Sequence, residues 1–557
     1  MIDHAVIGHA VIRHARGGGR IDPGVIALDT LALSGPSAIA TSRWWGEGAR
    51  ARPRSRARGL AGLRPVFAFL IALCAGACTV GPDYTPPGAP VSPTYKELKG
   101  WKIAAPRDDI DRGPWWSIYR DPTLDALERQ VDVSNQNLAA AEAAYRQAAA
   151  LVQEARAQLF PIVNFVYNPV KTHTSPISDG GKGVTTTRVA LEATGTWDID
   201  VWGRIRRMIE SNVDLAQASA ADVANARLSA QSQLAIAYFD LRAADSLESL
   251  LQRTIVDYKR TQQITENQYQ QGTVARSDVI QAQTQVRTTE AQAINVGVQR
   301  AQFEHAIAIL TGRPPAELAI KKGALATRVP LVPPGVPSVL LERRPDIAAA
   351  ERKVAAQSAL IGVAVAAYFP DITLSGFYGW VGPTAFPISA AHQAWQIAAN
   401  ATETVFEGGL RRAQTAAAEA SYYNAVAAYR QTVLTAFQQV EDALSTSRIL
   451  ARQQRVQDDA VRLSRQAVAI ALNEYRAGQV SFTTVTTTEM TQLSNEEAAL
   501  TVRQNRFLAS VNLIEALGGG WDALLLPDYE DLRHRRSCVD VVGAIRGNIA
   551  PELPPCL

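Results

Sequence analysis

The sequence has little with which to build an ordinary large core. Of 557 residues only 7% are aromatic and 3 are Met, so Ala, Leu and Val must bury most of whatever surface is buried. After the N-terminal region no apolar run reaches 18 residues, which excludes a bundle of transmembrane helices. Charge is nearly balanced, 56 Lys+Arg against 53 Asp+Glu, and no long basic stripe lies outside the N-terminal arm, so a nucleic-acid partner is not expected. Membrane β-barrels survive these exclusions, because alternating strands keep mean hydropathy low. Here it is -0.06.

Chemistry-bearing constellations are equally scarce. His173, His305, His392 and His534 show no metal-ligand spacing, and His4, His9 and His14 recur every five residues, on different faces of any helix. Gly180-Gly181-Lys182-Gly183 lacks the spacing of a phosphate-cradling loop. No Ser/His/Asp or Cys/His set stands out. The expectation is a protein without catalytic residues, metal or cofactor. Four cysteines make no disulfide framework, although Cys538 and Cys556 in the tail could join in an oxidising compartment.

Arg52, Arg54, Arg56, Arg58 and Arg64 precede an apolar stretch, Val66 to Ala77, that ends in small residues before Cys78. That is the layout of a secretory signal. The stretch is too short to span a bilayer, which takes about 20 residues, so cleavage is expected. Cys78 is then a candidate for lipidation, or a bystander beside a plain cleavage site. Residues 1 to about 50 read as an upstream-start artefact or a dispensable extension.

Self-comparison is the most informative step. The glycine pairs 203/409, 272/478 and 312/518 each differ by 206 positions, and Tyr269-x-x-Gly272-x-Val274 recurs as Tyr475-x-x-Gly478-x-Val480. The chain past the signal therefore reads as two copies of one unit joined by the Pro-rich link Pro330 to Pro337. In each copy a helix starts at Asp121-Pro122 or Arg344-Pro345-Asp346 and runs to Phe160 or Phe369. β-type stretches follow at 162–174 and 184–199, then at 372–381 and 394–406, one hairpin per copy. Next come long helices free of Gly and Pro, Arg204 to Gln271 and Leu410 to Ala477. The first carries an apolar stripe of helical period from Ile205 to Leu241. At about 1.5 Å per residue each is a rod of about 100 Å. Gly272 and Gly478 turn the chain into returning helices, from about Ser277 to Leu310 and about Phe482 to Leu517.

Four strands cannot close a barrel in lipid, where each unpaired backbone group costs several kcal/mol. Several copies must therefore pool their hairpins. The rods start at the strands, so both glycine turns lie at the far tip. Trp197, Trp202, Trp380 and Trp395, with Tyr378, cluster on or beside the strands. They suit either an interfacial aromatic girdle or plain strand packing.

Four pieces of the sequence carry a resemblance: Cys78-Thr79-Val80-Gly81-Pro82-Asp83-Tyr84, Trp197-Asp198-Ile199-Asp200-Val201-Trp202-Gly203-Arg204, Leu341-Glu342-Arg343-Arg344-Pro345-Asp346-Ile347 and Ala516-Leu517-Gly518-Gly519-Gly520-Trp521. In family order, they resemble the TolC-type outer-membrane efflux channels, in their lipoprotein (OprM/NodT) branch. Ala75-Gly76-Ala77-Cys78 is similar to a bacterial lipobox, with Ala75 where the family pattern prefers Leu. The resemblance implies a mainly α fold with a membrane β-barrel portion: a homotrimer whose 12-stranded β-barrel continues into a long α-helical periplasmic barrel. It implies a passive exit duct in the outer membrane, lipid-anchored at Cys78 and extending into the periplasm. A periplasmic adaptor (membrane fusion protein) and an inner-membrane pump of the resistance-nodulation-division class are the implied partners. The family closes its tip with acidic residues six or nine positions after the turn glycine. The first copy has Asp278 at six, while the second has Thr484 and Thr487 at six and nine. A ring of Asp278 carboxylates would favour cations; the alternative is that Asp278 caps the returning helix.

The expected divisions are 1–77, extension and signal; 78–120, lipid-anchored arm; 121–329 and 330–521, the two repeats; and 522–557, a tail. The rival of a different class is a secreted coiled-coil periplasmic scaffold without a pore, its apparent strands mere linkers.

Overall fold

The computed structural model describes residues 79–92, 94–98, 114–175, 180–181, 183–330, 332 and 343–534. The signal, Cys78, Cys538, Cys556 and most of the Pro-rich link lie outside them. In chain order the main elements are α1 (Pro122–Ser134), α2 (Gln136–Ala157), β1 (Ile162–His173), β2 (Thr185–Asp198), α3 (Arg204–Gln270) and α4 (Arg276–Leu310). After the link come α5 (Pro345–Ala366), β3 (Asp371–Gly382), β4 (Gln393–Thr402), α6 (Leu410–Arg476), α7 (Phe482–Ala516) and the short α8 (Tyr529–His534). α3 and α6 each hold 67 residues, and α4 and α7 each hold 35.

Each rod begins with the same device. Asp200 accepts the backbone N–H groups of Ile205 and Arg206 at 3.0 and 2.9 Å. Its negative charge sits where the helix macrodipole favours it. At α6 Glu407 takes the N–H of Arg411 at 2.9 Å, and the Arg411 side chain pairs with Glu403 and Glu407. β4 stops at Thr402 instead of reaching Phe406, because Thr402 pairs with Asp371, the first residue of β3, and the residues beyond it have no β3 partner. At the other end Gly272 and Gly478 have φ of 76° and 73°, a left-handed conformation that closes a helix and that side chains resist.

The first helix differs from expectation, being broken at Asn135. Asn135 Oδ1 accepts the N–H of Leu138 at 3.0 Å, and its Nδ2 donates to the Leu310 carbonyl at 2.8 Å. Ser134 Oγ donates to the Thr311 carbonyl at 2.7 Å. One residue thus ends α1, caps α2 and ties both to the end of α4.

The main core forms around the middle of α3, where Leu234, Tyr238 and Leu241 belong to one buried cluster with Leu124 and Val131 of α1, Val440 and Leu444 of α6, and Phe507 of α7. Phe239 and Phe507 rings lie 4.7 Å apart, with Tyr119 against Phe239 at 4.8 Å. A buried ionic knot beside it joins Arg242 and Asp245 of α3 to Arg300 of α4, at 3.2 and 2.7 Å. The Gly323 N–H completes Asp245 at 3.0 Å, pinning the connection that leaves α4. Among the described residues no helix is long and apolar enough to cross a membrane.

Candidate functional site: an apolar sheet face and a two-turn tip

The four strands form one antiparallel sheet in the order β1-β2-β3-β4. Its register sorts side chains by polarity, because residues paired across strands share a face and alternate along each strand. Val163 pairs with Gly195, Phe165 with Ala193, Tyr167 with Leu191, Trp197 with Leu374, Tyr378 with Trp395 and Gly376 with Ile397. Those positions make one face almost wholly apolar. The other carries Asn164, Asn168, Arg188, Glu192, Thr194, Thr373, Ser375 and Asn400. Within one chain both faces are open: on the apolar one Phe165 is 74% exposed, Trp395 68% and Ile397 81%, and on the other Asn164, Asn168, Arg188 and Asn400 are exposed as well. An apolar patch of this kind marks contact with a nonaqueous partner. Moreover, β1 and β4 each pair on one side only within the chain, leaving two open edges.

The sequence-predicted aromatics fall on two levels of this sheet. Trp197 pairs with Leu374 near the helical end, and Trp380 lies six residues further along β3, about 20 Å at about 3.3 Å per residue. Tyr378 and Trp395 are paired near that outer level. Trp202 lies past the strand, half-buried. Its Nε1 donates to the Pro370 carbonyl at 2.9 Å and its ring stacks on Phe369 at 4.8 Å.

The N-terminal arm is seated at the same junction. The Val80 N–H donates to the Trp202 carbonyl at 3.1 Å. Buried Arg207 reaches Asp83 at 2.8 Å, Glu210 at 2.8 Å and the Val80 carbonyl at 3.3 Å. Gly81 rests on Gly362 so closely that a Cβ on Gly81 would stand 2.4 Å from the Gly362 Cα.

At the opposite ends of the rods the two turns come together. Gln268 Nε2 donates to the Tyr475 carbonyl at 3.5 Å, and Ala282, Tyr475, Phe482 and Val485 form a small core with Ile264 and Val274. Asp278 is half-buried in the first turn of α4, where the macrodipole favours its charge. It is not the cap of that helix: the N-cap position is Ala275, with no side-chain cap bond, and Asp278 Oδ1 instead accepts Ser277 Oγ at 3.3 Å. Thr484 and Thr487 are exposed on the first two turns of α7, with Thr484 Oγ1 at 3.4 Å from Ser481 Oγ.

Comparisons with known proteins agree with this geometry. The family model described as "Outer membrane efflux protein" matches residues 127–313 and 336–519. The chain belongs to the outer membrane efflux protein family. It is 28% identical to the toluene efflux pump outer membrane protein TtgC of Pseudomonas putida, over 82% of this chain and 94% of that one. It is 29% identical to the outer membrane protein OprJ of Pseudomonas aeruginosa, over 82% and 96%. Among solved structures, the outer-membrane channel OprN superposes with a TM-score of 0.75 at 31% identity, covering 80% of this chain and 100% of that one. The protein is thus an outer-membrane efflux channel component, and the uncovered apolar sheet face is the part suited to lipid.

Two features of this efflux protein escaped the sequence reading. Arg207 sits in an Arg-rich helix start, yet it is only 4% exposed, with Asp83 as its partner far away in sequence. Glu489 stands among threonines after the second turn and is only 5% exposed. Its signal was available, since it lies seven residues, two helical turns, beyond buried Phe482.

Proposed function

We propose that three copies of this chain pool their sheets into one 12-stranded barrel through the outer membrane, three times the four strands of each copy, and that their helices continue it as a periplasmic α-barrel. The observation that carries this reading is the exposed apolar sheet face bounded by two open edges. A self-contained sheet would leave those edges unpaired in lipid, whereas joining β4 of one copy to β1 of the next pairs every edge. The two halves, 121–329 and 330–521, are copies of one unit; equal rod lengths and the 206-residue spacing support this. The arm, 78–120, is lipid-anchored at Cys78. Support comes from Thr79 and Val80, seated beside Trp202 where helices meet sheet.

The duct is passive and takes its driving force from partners, a periplasmic adaptor and an inner-membrane pump of the resistance-nodulation-division class. The relatives TtgC and ArpC are named for toluene and antibiotic efflux, and OpmQ for pyoverdine export. Drugs, metal ions and other small molecules are the proposed cargo. Gly272 and Gly478 turn the chain at the periplasmic tip, where Asp278, Thr484 and Thr487 rim the aperture. Trp197, Trp202, Trp380 and Trp395 mark the membrane interfaces.

Outer-membrane fractionation with electrophoresis of unheated and heated samples tests the reading. A heat-sensitive trimer in the outer membrane is expected. A soluble periplasmic monomer would sink it in favour of the pore-free scaffold.

A further inference from the structure

Glu489 ties three helices together where two hairpins meet. Its Oε1 accepts Thr261 Oγ1 of α3 at 2.7 Å, its Oε2 accepts Gln285 Nε2 of α4 at 3.2 Å, and its backbone carbonyl accepts the Tyr258 hydroxyl of α3 at 3.2 Å. One residue of the second hairpin is therefore bonded to both helices of the first. A cavity of about 290 Å³ opens beside it, lined among others by Asp257, Arg260, Arg476 and Glu489 itself.

We propose that Glu489 is the clasp fastening hairpin α6–α7 to hairpin α3–α4 behind the tip turns, and that a proton on its carboxyl tightens the fastening. Its three bonding partners are neutral. The charged and titratable groups that face it are Asp257, Tyr258 and Arg260 from α3 and Arg476 from α6. α4 presents neutral Gln285, and α7 contributes Gln492, with Glu496 and Glu497 acting on the neighbouring Tyr258.

Burial pushes the Glu489 carboxyl up from 4.5 to about 7; the bonds from Thr261 and Gln285 oppose that rise, and the Asp257 charge adds to it. The sign follows from linkage. A carboxyl whose closed-state pKa is raised takes up a proton on closing. Its stabilisation of the clasp is full below 4.5 and is lost as pH rises through about 7. Above that the carboxylate is held charged in a poorly solvated site, and the hairpins loosen.

The clasp is a contact within one copy; only its consequence, the width of the aperture, rests on the duct reading. Amide hydrogen exchange on the full-length protein in detergent tests it directly, scored as protection relative to intrinsic exchange at about pH 5.5 and about pH 8.5. In the wild type, protection across 258–265 and 482–490 should fall about tenfold from the lower pH to the higher, while 234–241 in the main core stays unchanged. Glu489→Gln, which keeps the shape, should remove that pH dependence. Glu489→Ala should lower protection about tenfold at the acidic pH. In planar bilayers Glu489→Ala should also raise conductance at the acidic pH. Equal protection in wild type and Glu489→Ala would overturn the clasp, and unchanged pH dependence in Glu489→Gln would overturn its proton control. Exchange behaving as stated in a protein that conducts in no bilayer would leave the clasp standing and remove the duct.

Discussion

α3 and α6 have the same length, the same glycine-led start and the same glycine-led stop, yet they are buried to different degrees. Of 67 residues in each, 29 are buried in α3 and 13 in α6. α3 is flanked by α2, α4, α5 and α7, while α6 rests chiefly on α5 and α7. Over its tip-ward half α6 buries one seam, Val461, Ser464, Val468, Ala471 and Tyr475. A second seam, Ile449, Val456, Leu463 and Ile470, recurs every seven residues and stays exposed. A heptad stripe is the pattern of a helix that expects a partner helix. Two rods of one design therefore differ in how far their own chain completes them, and in the proposed trimer the exposed seam of α6 is where a second copy packs.

That contrast can be broken most severely at the exposed seam. Val456→Asp should abolish the trimer while leaving the helical content of the single chain intact, since an unpaired charge would be buried at a cost of about 3–5 kcal/mol. Light scattering in detergent alongside circular dichroism checks it; a stable trimer of normal mass would mean that the stripe faces solvent. Next in size is Leu234→Ala on α3. Leu234 is fully buried, so the single chain should lose about 2–5 kcal/mol by denaturant titration. Leu434→Ala on α6, at a half-exposed site, should cost the single chain less than about 1 kcal/mol. If the two variants lose equal stability as single chains, the distinction between the rods is not real.

Asn135→Ala removes a cap and should cost about 1 kcal/mol, with the loss of exchange protection confined to the junction of α1, α2 and the end of α4. The smallest effect is at the tip. Asp278→Asn should reduce cation preference and block by multivalent cations in bilayers without changing stability. Unchanged ion selectivity would show that this carboxylate faces away from the lumen.

Much of this architecture was legible because it rests on local rules. Helical period, the alternation in β1 to β4 and turn glycines at fixed offsets are properties of neighbouring residues, and they placed most elements to within a residue or two. The break at Asn135 was not legible, because the bond that rewards it comes from the Leu310 carbonyl, 175 positions away. The same holds for Arg207, whose partner Asp83 is 124 positions distant. The family resemblance singled out Asp278, Thr484 and Thr487 after the turn glycines, but it could not say which side chains there are buried. Glu489 shows the cost: a lone acid among threonines looks solvated until its distance from Phe482 is counted in helical turns.

Both described ends of the chain leave the bundle at one level. Thr79 meets Gly203 and the tail's Leu532 packs against Ile205 and Ile209, in the first turns of α3. A label or affinity handle attached at either described end would therefore crowd the same collar, while the glycine turns at the other end of the rods would stay free of it. Reporters meant to watch docking belong near residues 272 and 478, where an added Cβ would meet no neighbouring atom.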